Sequence, residues 1–79
     1  MASEEIEAMI LSAFPDAVVD IRDLAGDGDH YAARVVSSSF AGMNRVRQHQ
    51  AVYAALKGKM GTDLHALQLE TLVPSGDHQ

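Results

Sequence analysis

No cysteine occurs among the 79 residues, which removes disulfides, thiolate zinc sites and thiol nucleophiles from the chain. Small domains in oxidising compartments usually depend on such cross-links, so a reducing, cytoplasmic setting is expected. Tryptophan is also absent. The two Phe and two Tyr are too few for a platform on which single-stranded bases stack. No apolar run approaches the roughly 18 residues of a membrane span. The opening Met1-Ala2-Ser3-Glu4-Glu5 is acidic and lacks the basic and apolar regions of a signal peptide. Acids are missing from one long stretch. The formal charge is −5, yet no Asp or Glu falls between Asp29 and Asp63. Five of the six basic residues, Arg34, Arg45, Arg47, Lys57 and Lys59, lie in that window. An acidic chain with a one-signed basic segment is built to present one face to a partner.

The length allows one domain, taken as residues 1–79 with a core at about 4–74 and a loose tail at 75–79. Ser3 is placed to cap a first helix, with Glu4 and Glu5 in its first turn and Ile6, Met9, Ile10 and Ala13 on one face. Phe14-Pro15 ends it. Residues 17–24 alternate Val18, Val19 and Ile21 with charged residues, as a strand with one wet face does. The 25–29 segment, Ala-Gly-Asp-Gly-Asp, reads as a turn, and 30–38 as the returning strand of a hairpin. Asn44 caps a second helix whose apolar face is read as Val46, His49, Val52, Tyr53, Leu56 and Met60, with Gly58 and Gly61 at its end. Residues 64–72 form the last strand, with His65, Leu67 and Leu69 on one side, and Pro74 stops it. The order α-β-β-α-β predicts an α+β domain. It has a three-stranded mixed sheet with helices on one face, and a right-handed crossover joins the second and third strands in parallel.

Parallel strands begin at the same end of a sheet, about 5 Å apart. His30 opens the second strand and His65 the third, so this topology sets both at one sheet end. Two imidazoles cannot close a structural metal site, but they can supply half the ligands of a shared one. Imidazole suits zinc, copper and iron, and a histidine pair can hold one iron of a [2Fe–2S] cluster. Asp27, in the adjoining turn, is a possible substitute ligand. Against this stands the ordinary role of a histidine at a strand start, which is surface hydrogen bonding. His49, on the apolar helix face, is read as a partly buried ring bonded to a backbone carbonyl. Ser37-Ser38-Ser39 leave a strand and start a turn, with no acid–base partner visible in the sequence. No constellation points to an enzyme. Arg45, Arg47, Lys57 and Lys59 form a candidate surface for an acidic partner or for nucleic-acid phosphates.

Gly26-Asp27-Gly28-x-His30-Tyr31 resembles the loop and second-strand entry of the BolA family. Phe40-x-Gly42, followed by Arg45-x-x-x-His49-x-x-Val52-Tyr53, resembles that family's central helix. His65-Ala66-Leu67, followed by Thr71-x-x-Pro74, resembles its C-terminal histidine motif. Together they cover roughly residues 4–74. The resemblance implies a fold like a class II KH domain without the G-x-x-G loop. It also implies a monothiol glutaredoxin partner and a bridging [2Fe–2S] cluster. The glutaredoxin cysteine and glutathione would ligate one side and this chain the other. His65 matches the family's C-terminal histidine ligand, and the second ligand is left between His30 and Asp27. The implied role is in iron–sulfur cluster trafficking and iron homeostasis, the isolated chain holding no cofactor and existing as a monomer or weak homodimer. Some BolA-like proteins are described as transcriptional regulators, which implies DNA binding through the central helix, with Arg45 and Arg47 as the contacts.

Overall fold

In the computed structural model of the chain, the described residues are 2–26, 30–56 and 66–74. Helix α1 spans Ser3–Ala13, strand β1 Val18–Asp23, strand β2 His30–Val36, helix α2 Arg45–Ala55 and strand β3 Ala66–Leu72. A short 3-10 turn, Ser38–Phe40, follows β2. The three strands form one sheet in the order β1-β2-β3. β1 pairs antiparallel with β2, and β2 pairs parallel with β3, as expected from a hairpin followed by a helical crossover.

Side chains alternate across the sheet, and the two faces differ sharply. Tyr31, Ala33 and Val35 of β2 are buried. Tyr31 and Val35 cluster with Ile6, Ile10 and Phe14 from the α1 side, Val52, Ala55 and Leu56 from the α2 side, and Phe40 from the 3-10 turn. Both helices therefore lie on one face. Phe14 and Phe40 sit with ring centroids 5.1 Å apart and planes inclined at 57°, a tilted pair suited to the ring quadrupoles. The opposite face is open. Rows of register partners cross it, Val18–Val36–Leu72, Asp20–Arg34–Glu70 and Arg22–Ala32–Gln68. Arg34 Nε meets Glu70 Oε1 there at 3.1 Å.

Local signals account for the ends of most elements. Phe14 N–H reaches Ile10 O at 2.8 Å and closes α1 ahead of Pro15. Asp23 Oδ1 accepts the N–H groups of Ala25 (3.3 Å) and Gly26 (2.8 Å), an Asx turn at the start of the hairpin loop. Gly26 adopts φ +70°, a left-handed conformation that a residue without Cβ reaches freely. Asn44 Oδ1 accepts Arg47 N–H at 2.9 Å and caps α2 as expected.

Two expectations need correction. Ser3 does not cap α1. Ala2 occupies that position without a side-chain cap, and the Ser3 hydroxyl donates to Glu4 Oε1 at 3.3 Å. The buried face of α2 is also rotated from the one read off its apolar residues. Val46 is 65% exposed and Tyr53 37% exposed, while Val52, Ala55 and Leu56 are buried and Gln48 and His49 half-buried. Gln48 takes the inner position because both ends of its amide are used. Its Nε2 donates to Met43 O at 2.8 Å, and its Oε1 accepts the Thr71 hydroxyl at 2.6 Å.

Candidate functional site

The parallel ladder sets His30 opposite Ala66, at the end of the sheet where both strands begin. His30 is exposed, and its carbonyl accepts Leu24 N–H at 2.8 Å, which closes the base of the hairpin loop. The sequence neighbour of Ala66 is His65. His65, the alternative ligand Asp27, and the basic residues Lys57 and Lys59 lie outside the described residues. Of the ligand set expected from the sequence, the described part thus contributes one exposed imidazole at a loop mouth. Its nitrogen is a borderline donor of the kind that binds iron. Among the described residues, no group of three or more His, Asp or Glu forms a metal-binding cluster.

Arg45 and Arg47 are exposed in the first turn of α2. No ion pair or hydrogen bond joins either side chain to another described residue. His49 lies one turn after Arg45, half-buried. The partial burial is as expected, but no carbonyl bond joins its ring to another described residue. Arg45 and His49, with Leu69, Glu70, Thr71 and Leu72, line a groove of about 210 Å³ between α2 and β3. A wider groove of about 520 Å³ runs over the open face of the sheet, past Asp20, Arg22, Leu24, Arg34 and Glu70.

The serine run gains a partner that no spacing in the sequence announces. Ser37 is fully buried and its hydroxyl donates to Asp16 Oδ1 at 3.0 Å. Ser38 N–H and its hydroxyl donate to Asp16 Oδ2 at 2.9 and 2.8 Å. The Ser38 hydroxyl, then the Ser38 backbone N–H and the Ser37 hydroxyl, hold the Asp16 carboxyl below its ordinary range. A carboxylate saturated in this way accepts protons poorly, and Ser37 Oγ itself accepts Ser39 N–H at 3.1 Å. The cluster is a clasp that joins the turn after α1 to the end of β2. The serine expectation therefore holds in its structural form.

Residues 10–76 match the family model described as BolA-like protein. RP812 of Rickettsia prowazekii is 35% identical over 72 residues, covering 91% of this chain and 94% of that protein. The solved structure of BolA1 from Arabidopsis thaliana superposes with a TM-score of 0.82 at 29% identity, covering 95% of this chain and 94% of that one. A bolA protein homologue from Coxiella burnetii gives a TM-score of 0.79 at 31% identity, covering 96% and 95%.

Proposed function

This chain belongs to the BolA-like protein family, and from that membership we propose that it is an accessory protein of iron–sulfur handling in the cytoplasm. It shares a [2Fe–2S] cluster with a monothiol glutaredoxin and glutathione. The observation that carries the reading is the parallel register of His30 with Ala66, because it brings the mouth of the β1–β2 loop to the start of the strand that His65 precedes. His65 supplies one imidazole to the cluster. His30, or Asp27 in its place, supplies the second donor. The cluster brings one-electron redox chemistry, and imidazole in place of thiolate on one iron raises its reduction potential, as in Rieske centres. The chain alone has no catalytic role in this reading. It offers donors to one iron, and because it holds half the ligands the cluster can be passed on.

The test mixes the purified chain with a monothiol glutaredoxin loaded with cluster and glutathione. Ultraviolet–visible, circular dichroism and EPR spectra are recorded for the wild type, His65→Ala, His30→Ala and Asp27→Ala. A mixed complex whose spectra change with His65→Ala, and with one of the other two, supports the assignment. Spectra indifferent to His65→Ala reject it.

A second reading, as a DNA-binding regulator, is favoured by one observation, the exposed Arg45 and Arg47 in the first turn of α2, neither paired with another described residue. It requires duplex affinity that falls steeply with salt and is lost in the Arg45→Ala/Arg47→Ala double variant.

A further inference from the structure

Among the described residues β3 is an edge strand, and its backbone shows which groups are left open. In a strand, the N–H and C=O of one residue leave on the same side, and those of the next residue on the other. Ser37 N–H donates to Leu72 O at 3.0 Å, so Leu72 addresses β2, and with it Glu70 and Gln68. Leu69 and Thr71 then direct their N–H and C=O groups away from the sheet. No backbone hydrogen bond joins them to another described residue on that side.

The open edge forms one wall of the 210 Å³ groove, and Arg45 and His49 of α2 form the other. The walls are held together by the 2.6 Å hydrogen bond from the Thr71 hydroxyl to Gln48, whose side chain lies in the turn between Arg45 and His49. Arg45 has no acidic partner among the described residues, and the His49 ring no hydrogen-bond partner there. Glu70, the acid that lines the groove, is turned to Arg34. Leu72 and Val73, 36% and 41% exposed, give the far end an apolar lip.

We propose that the groove between α2 and the free edge of β3 docks an extended acidic segment of a partner protein. The segment adds as a fourth strand beside β3 and sets a carboxylate against Arg45 and His49. Unpaired strand groups repeat at the spacing of another backbone and give such a segment its main-chain bonds. The basic wall selects acids on the side chains that face α2. The apolar lip accepts β-branched residues on the alternate side. A nucleic acid fits less well, because a sugar–phosphate chain carries no N–H and C=O groups at the spacing of the open strand edge. This site is independent of the cluster ligands, and either reading can fail without the other.

The probe is an end-blocked heptapeptide, Thr-Val-Glu-Val-Glu-Val-Thr, titrated into the ¹⁵N-labelled full chain at low salt and followed by amide shifts. Two further peptides and an oligonucleotide are compared: a peptide with Lys for both Glu, one N-methylated at alternate amides, and a single-stranded oligonucleotide as the nucleic-acid arm. Expected are shifts at Leu69, Thr71, Arg45 and His49, with slowed exchange of the Leu69 and Thr71 amides. Affinity should fall about tenfold in Arg45→Ala, the scale of one charge-assisted bond. Arg45→Glu should reverse the preference toward the Lys peptide, a result that a merely misfolded variant cannot give. The proposal is overturned by no shift at millimolar peptide, by shifts confined to other surfaces, by equal binding of the N-methylated or Lys peptide to the wild type, or by tighter binding of the oligonucleotide at these same residues.

Discussion

Asp16 and Ser37 stand 21 positions apart in sequence, yet the buried Ser37 hydroxyl donates to the Asp16 carboxylate at 3.0 Å and fixes the turn after α1 to the end of β2. Three donors converge on that carboxylate, two of them from Ser38. The bonds favour the ionised form, so folding lowers the carboxyl's pKa from its ordinary value of 3.8.

A pH dependence of stability follows from that depression. A group whose folded pKa lies below its unfolded one adds stability above the unfolded value and loses it as pH falls through the folded value. Urea midpoints of the wild type and Asp16→Asn should therefore differ most near neutrality. The gap should close as pH falls from about 4 downward. A gap of the same size at every pH would show that Asp16 acts through shape rather than charge.

Phe40 is fully buried from a short 3-10 turn and packs against Phe14, so much of the small core rests on one side chain outside the regular elements. Phe40→Ala should cost about 3–5 kcal/mol. Natural domains have only about 5–15 kcal/mol in total, and short ones lie toward the lower end. The variant should melt far below the wild type or be unfolded by circular dichroism at room temperature. Phe40→Leu should keep the fold with a loss nearer about 1 kcal/mol.

Capping separates the two helices. Asn44→Ala removes an acceptor from Arg47 N–H and should lower stability by about 1 kcal/mol. In a domain of this size that corresponds to a fall of about 4–8 °C in Tm. Ser3→Ala removes no cap, because among the described residues the Ser3 hydroxyl bonds only Glu4. Its effect should stay within about 0.5 kcal/mol, and thermal melts of the pair under one buffer check both values.

The difference between these two serine- and asparagine-based expectations shows what the residues alone convey. Strand alternation, the Asp-Gly turn, Phe14-Pro15 and Asn44 are local signals, and the element order and the parallel pairing of β2 with β3 follow from them. The buried face of α2 was not legible, because a polar residue, Gln48, earns its inner position from Met43 O and from Thr71 on a strand 23 positions away. Hydrophobic periodicity assigns that face to Val46, which is exposed. No spacing marks Asp16 as the partner of the serine run for the same reason, since its contacts are tertiary. At the candidate site, topology alone placed His30 at the sheet end where β3 begins. The basic wall of Arg45 was visible as a charge pattern. The open edge of β3 facing it emerges only from the hydrogen bond that Ser37 N–H donates to Leu72 O.

Gln48 and Thr71 form the hydrogen bond that sets the width of the α2–β3 groove. Each is half-buried, so removing one partner leaves the other short of a bond in a poorly hydrated place. Thr71→Val should cost about 1–2 kcal/mol. Gln48→Leu should cost more, because it also strips the Met43 carbonyl of its donor. The double variant replaces a polar pair with an apolar contact and should cost less than the sum of the two, with a coupling of about 0.5–3 kcal/mol from a double-mutant cycle in urea. Strict additivity would mean that the two groups do not depend on each other, and that α2 is held against β3 by the apolar core alone, to which Val52 and Ala55 of α2 and Leu67 and Leu69 of β3 belong.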